Sequence, residues 1–137
     1  MSDDQKRVPA LFFRTDAGAE PVRDWLKGLS KADRKVLGVD IKTLEYGWPV
    51  GMPLCRSIRS RRGLWEIRSS LTGGRIARIL FCFHDGSLLL LHGFIKKTQK
   101  TPTPDLDLAA DRMKELKTAQ LEKGREARGN RKKGKKR

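Results

Sequence analysis

Arginine and lysine recur through the middle of this 137-residue chain, in stretches whose other positions are mostly apolar. Arg68 ends LWEIR, Arg75 and Arg78 interrupt the apolar run RIARILFCF, and Lys96 and Lys97 close SLLLLHGFIKK. Guanidinium groups donate two hydrogen bonds in one plane and keep their charge near neutral pH. Carried on a rigid sheet, they suit an anion and can stabilise charge that builds up on phosphate oxygens. Arg78 is the most informative, because an arginine inside an apolar strand needs a partner or an anionic ligand. Turn residues bring these positions together. Asp85-Gly86 is a two-residue hairpin signal that sets Phe83 near Leu88, and so Arg78 near Gly93 and the segment up to Lys97. Thr72-Gly73-Gly74 supplies the preceding turn.

Other side chains have two readings. Glu66 accepts a proton or, as the commoner outcome, pairs with Arg68 or Arg78; among arginines it would be a weak base. A histidine titrates near pH ~6.5 and is the usual acid–base group. His92 lies in a strand, as such a group or as a satisfied core residue, and His84 lies in the turn. Trp48 stands beside a loop with Arg56, Arg59, Arg61 and Arg62, and is the best placed of the aromatic residues to stack on a base. Trp25 and Trp65 read as core. Two histidines and two cysteines, Cys55 and Cys82, show no metal-ligand spacing and no disulfide framework, so neither metal nor cofactor is expected.

The elements that position these residues follow from periodicity. Val8–Arg14 reads as a strand, with Pro9 at its start or on an edge. Pro21 opens a helix whose Val22, Trp25, Leu26 and Leu29 share one face. Ser30 caps a second helix with stripe Val36, Leu37, Ile41 and Leu44, stopped by Gly47 and Pro49. A short strand is expected near Cys55–Arg59, then three antiparallel strands over 64–95. Thr103 and Pro104 start a last helix whose stripe fades after Leu121. The expected class is α+β in two layers: N-terminal strand, helical hairpin, antiparallel sheet with helices on one face, and C-terminal helix. Residues 1–122 form the domain, and 123–137 read as a disordered basic tail.

The formal net charge is +15, of which residues 54–100 and 123–137 contribute +8 each. Such concentration suits a polyanionic partner. No stretch approaches the roughly 20 apolar residues of a membrane span, and MSDDQKRVPA is unlike a secretory signal. A cytoplasmic location with no membrane partner is the expectation.

The run GLWEIR…GGRIARILFCF…LLLLHGFIKKTQKTP, followed by an Asp-rich helix start and A-x-x-R-x-K-E, resembles the RelE/HigB superfamily of toxins. It is most similar to the phage-derived, HigB-like branch, over about Leu11 to Leu116. The resemblance implies a RelE-like fold and the toxin of a type II toxin–antitoxin module. Such toxins are metal-independent mRNA endoribonucleases (mRNA interferases), often acting on the ribosome and masked by a cognate antitoxin, here expected to be a helix-turn-helix protein. It further implies that Arg68 faces RNA, that Arg78 stabilises the reacting phosphate, and that Lys97, with Lys96 beside it, completes the site. Relatives tend to carry an aromatic hydroxyl downstream; here no tyrosine follows Lys97, and the only one is Tyr46. The general base stays open, with His92 the candidate. Arg56, Arg59, Arg61, Arg62, Arg75, Lys96, Lys100 and Trp48 are the expected RNA contacts. The alternative is a noncatalytic RNA- or ribosome-binding module of the same fold. A DNA-binding protein is disfavoured, since the helical hairpin has little net charge and apolar stripes on both helices.

Overall fold

The computed structural model describes the backbone of residues 8–96 and 100–135, and side chains as far as residue 119. The elements run β1 (Ala10–Phe12), α1 (Pro21–Lys27), α2 (Lys31–Gly47), β2 (Cys55–Ser57), β3 (Leu64–Ser70), β4 (Ile76–His84), β5 (Ser87–Lys96) and α3 (Thr103–Lys135). The sheet order is β1-β5-β4-β3-β2. This is the expected α+β architecture, consistent with a RelE-like fold. The sheet is mixed rather than antiparallel throughout, because β1 joins β5 in parallel. Glu45 at the end of α2 holds that edge: its carboxylate accepts the Ala10 amide at 2.8 Å and its carbonyl accepts the Val8 amide at 3.2 Å.

Local chemistry sets the helix starts. Pro21 occupies the first turn of α1, and the Ser30 hydroxyl accepts the Asp33 amide at 3.1 Å to cap α2. The hairpin packs Val22, Leu37 and Leu44 against Ile67, Ala77, Ile79, Phe81, Leu88 and Leu90. The sequence pattern had put all helices on this face. Instead α3 lies on the opposite one, where Ala109 and Met113 meet Leu64, Leu80, Cys82, Leu89, Leu91 and Phe94. The reason is visible in β4, which is buried at every position from Ala77 to Cys82. Both faces of the sheet must therefore be covered. The backbone of α3 continues as helix through Lys135, into the segment set aside as a basic tail.

A β-bulge shifts the β4–β5 register. Leu80 faces His92 while Phe81 faces Leu90, so Leu91 is the extra residue. Its carbonyl accepts a hydrogen bond from the Arg112 side chain on α3 at 2.7 Å. The shift puts Arg78 opposite Phe94, where turn counting had put Gly93. Gly93 instead lies under α1, where a Cβ would come within 2.5 Å of the Trp25 ring. Only glycine allows that approach.

Candidate functional site

Alternation along the strands puts Glu66 and Arg68 of β3, Arg78 of β4, and Phe94 of β5 on the α3 side of the sheet, near the start of that helix. Arg78 is fully buried, with Arg68 opposite it on β3 and Phe94 opposite it on β5. Its guanidinium carbon stands 6.0 Å from the centre of the Phe94 ring. Burial pulls the Arg78 pKa below its ordinary value; Glu66 and Asp105 oppose this, and the Arg68 and Arg56 charges add to it. An arginine held there gains from any further negative charge that arrives.

Glu66 organises the cations. Its Oε1 accepts the Arg56 Nε–H at 3.1 Å and lies 3.9 Å from an Arg68 nitrogen. The Thr101 hydroxyl donates to Oε2. Its nearest basic partner is therefore Arg56, which sits opposite it on β2. Fully buried and engaged at both oxygens, Glu66 is placed as a support for the cations around it.

A second cluster surrounds Phe94. His92 stacks on it with ring centres 5.4 Å apart, and the Lys96 ammonium lies 5.8 Å from the ring centre. Asp105, in the first turn of α3, bridges the two: its Oδ1 is 2.6 Å from His92 Nε2 and its Oδ2 is 3.5 Å from Lys96 Nζ. Beside these groups, along the sheet edge at β2, runs a groove of about 800 Å³ whose lining includes Met52, Arg56, Arg59, Trp65, Lys100 and Thr101.

The structure therefore gathers Arg56, Arg68, Arg78, His92 and Lys96, with Arg59 and Lys100 on the groove. It separates others. Arg75 is committed to Asp33, with two hydrogen bonds of 2.8 and 3.0 Å, and this pairing lowers the Asp33 pKa. Arg61 is bonded to Asp107, and Arg62 is an exposed loop residue. Trp48 is not beside the arginine face. It packs against the α1–α2 core, edge-on to Trp65 at 5.0 Å and Phe81 at 5.7 Å. Lys97 lies outside the described residues. His84 ends β4 beside the hairpin turn.

Asp105, Thr101 and Phe94 were missed. In the sequence, Asp105 belongs only to the Asp-rich start of the last helix. The available signal was proximity: the chain leaves β5 after Lys96 and starts α3 at Thr103, so the first turn of the helix can reach back over the strand end. Among the described residues no group of three or more His, Cys, Asp or Glu could hold a metal ion. Cys55 and Cys82 are free and buried, and burial pushes each thiol up to about 11. No helix among the described residues is long and apolar enough to cross a membrane.

A family model described as Phage derived protein Gp49-like (DUF891) matches residues 24–114. The chain belongs to this Gp49-like family. Gp49-like proteins are a phage-derived, RelE-toxin-like family. The matched region spans every residue of the cluster from Arg56 to Asp105. No curated protein matches the chain.

Proposed function

We propose that this Gp49-like protein is a metal-independent mRNA endoribonuclease of the HigB-like branch, the toxin of a type II toxin–antitoxin module. The observation that carries the reading is Arg78. A fully buried guanidinium, on a face where Arg56, Arg68 and Lys96 also converge, concentrates positive charge that an arriving phosphate would meet. In RNA cleavage the substrate's 2′-hydroxyl attacks the adjacent phosphorus, and negative charge grows on the non-bridging oxygens. Arg78 and Arg68 meet that charge, and the basic groove beside β2 holds the flanking strand. Lys97 would add a further cation next to Lys96. The family relationship supports the same class.

The expected partners are mRNA, presented on the ribosome, and an antitoxin encoded nearby as a helix-turn-helix protein. Induced expression tests the reading. Wild type should arrest growth and leave mRNA fragments ending in 2′,3′-cyclic phosphate, while Arg78→Ala should do neither. If wild-type protein supplied with translating ribosomes gives no cut ends, while binding RNA in a salt-sensitive manner, the protein is a noncatalytic RNA-binding module.

A further inference from the structure

Resting on that reading, we infer that His92 is the proton acceptor of the site and that Asp105 is its positioning residue. Strand β5 supplies the imidazole, and the first turn of α3 supplies the carboxylate. The bulge at Leu91 presents His92 to the α3 side, and stacking on Phe94 fixes the ring plane. The 2.6 Å contact to Asp105 fixes the ring's tautomer. A carboxylate accepts, so neutral His92 carries its proton on Nε2 and keeps the lone pair on Nδ1. Among the described residues nothing hydrogen-bonds Nδ1, and the side chain keeps 17% of its surface open. The same Phe94 ring that supports His92 also lies beside Arg78 and Lys96. The Phe94 ring thus has the imidazole on one contact and the Arg78 guanidinium, where a phosphate would bind, on another.

Among the described residues, the charged groups around His92 include Asp105 on α3, Lys96 on its own strand, Arg78 on β4 and, one strand further, Glu66 on β3. Glu66 is already engaged at both oxygens by Arg56 and Thr101, whereas the imidazole keeps a lone pair on Nδ1. In the step, Nδ1 takes the proton of the 2′-hydroxyl while the O2′–P bond forms. The P–O5′ bond breaks, and the departing 5′-oxygen takes a proton from water. The hydroxide so formed recovers the proton from the imidazolium. Products are a 2′,3′-cyclic phosphate and a 5′-hydroxyl, with no net change in the enzyme. Asp105 stabilises the imidazolium and never leaves its carboxylate form.

The test measures single-site RNA cleavage by wild type, His92→Ala, Asp105→Asn and Asp105→Glu, with ribosomes supplied. His92→Ala should lose kcat by about 100-fold or more with little change in KM, and added imidazole should restore part of it. Asp105→Asn should also lose kcat with little change in KM, and Asp105→Glu should recover most of the difference. Nitrogen-15 NMR of wild type should show the His92 proton on Nε2, a signal that needs no cleavage. Wild-type cleavage with undiminished His92→Ala or Asp105→Asn overturns the assignment and leaves the nuclease reading standing. So does a folded His92→Ala that is inactive and gains nothing from imidazole. Absence of cleavage by wild type overturns both.

Discussion

Arg78 illustrates how a single side chain is held for use. It is fully buried, yet cationic neighbours surround it and burial works against its charge. Lysine in its place would keep the charge but lose the planar fork, so Arg78→Lys should bind RNA near normally and cleave it at least about tenfold more slowly. Glu66 is the counterweight. Replacing it with Gln leaves Arg56, Arg68 and Arg78 without a nearby buried carboxylate, and should cost about 3 kcal/mol in urea unfolding. The two thiols, raised to about 11, should resist alkylation at pH 8 in the native state and react once urea exposes them. At this scale the sequence was partly legible. That Arg78 lies close to the end of β5 followed from the Asp85-Gly86 turn, one residue out of register. Trp48 did not, because a large aromatic beside arginines has the same composition whether it stacks on a base or on Trp65 and Phe81.

The elements are tied by a few contacts whose removal has readable signs. Arg75 joins the start of β4 to the first turn of α2 through Asp33. Because the bond to Arg75 lowers the Asp33 pKa from its ordinary 3.8, the stabilisation is present above that value and lost as pH falls through the lower folded one. Arg75→Ala should therefore be less stable than wild type near neutrality, with the gap closing as the pH drops below 3.8 in acid titrations of the unfolding midpoint. Gly93 sets the seat of α1. Gly93→Ala should destabilise by about 1–3 kcal/mol through overpacking against Trp25, and much of that should return when Trp25 is made smaller. Helix starts and strand identities were legible from caps, prolines and alternation. The bulge was not, since nothing in LLLLHGF marks which leucine is left over. The side taken by α3 had a signal in the six consecutive buried positions of β4, which alternation-based reading discounts.

At the scale of the whole molecule, charge governs encounter. A net +15 predicts that affinity for single-stranded RNA falls steeply with salt, the logarithmic slope reporting about 0.7 per phosphate neutralised. Removing residues 123–137, which carry nine of the basic residues and one acidic one, should flatten that slope and weaken binding while leaving the cleavage step at saturating RNA unchanged. The two contributions separate cleanly in titrations at several ionic strengths.

The bulge at Leu91 also works as a parity switch for the strand that carries it. Before it, Leu88 and Leu90 point to the helical hairpin and Leu89 to α3. Beyond it the assignment inverts, with Phe94 toward α3 and Ile95 toward the hairpin. Closing the bulge while keeping every residue would restore simple alternation and trade the two sides. His92, Phe94 and Lys96 would then turn toward Trp25, and Gly93 would face Asp105. Deleting Leu91 would instead keep both sides as they are, because it removes the one residue that the bulge accommodates. The same ten residues of β5, paired one step differently, would present the half of the site they supply inside out.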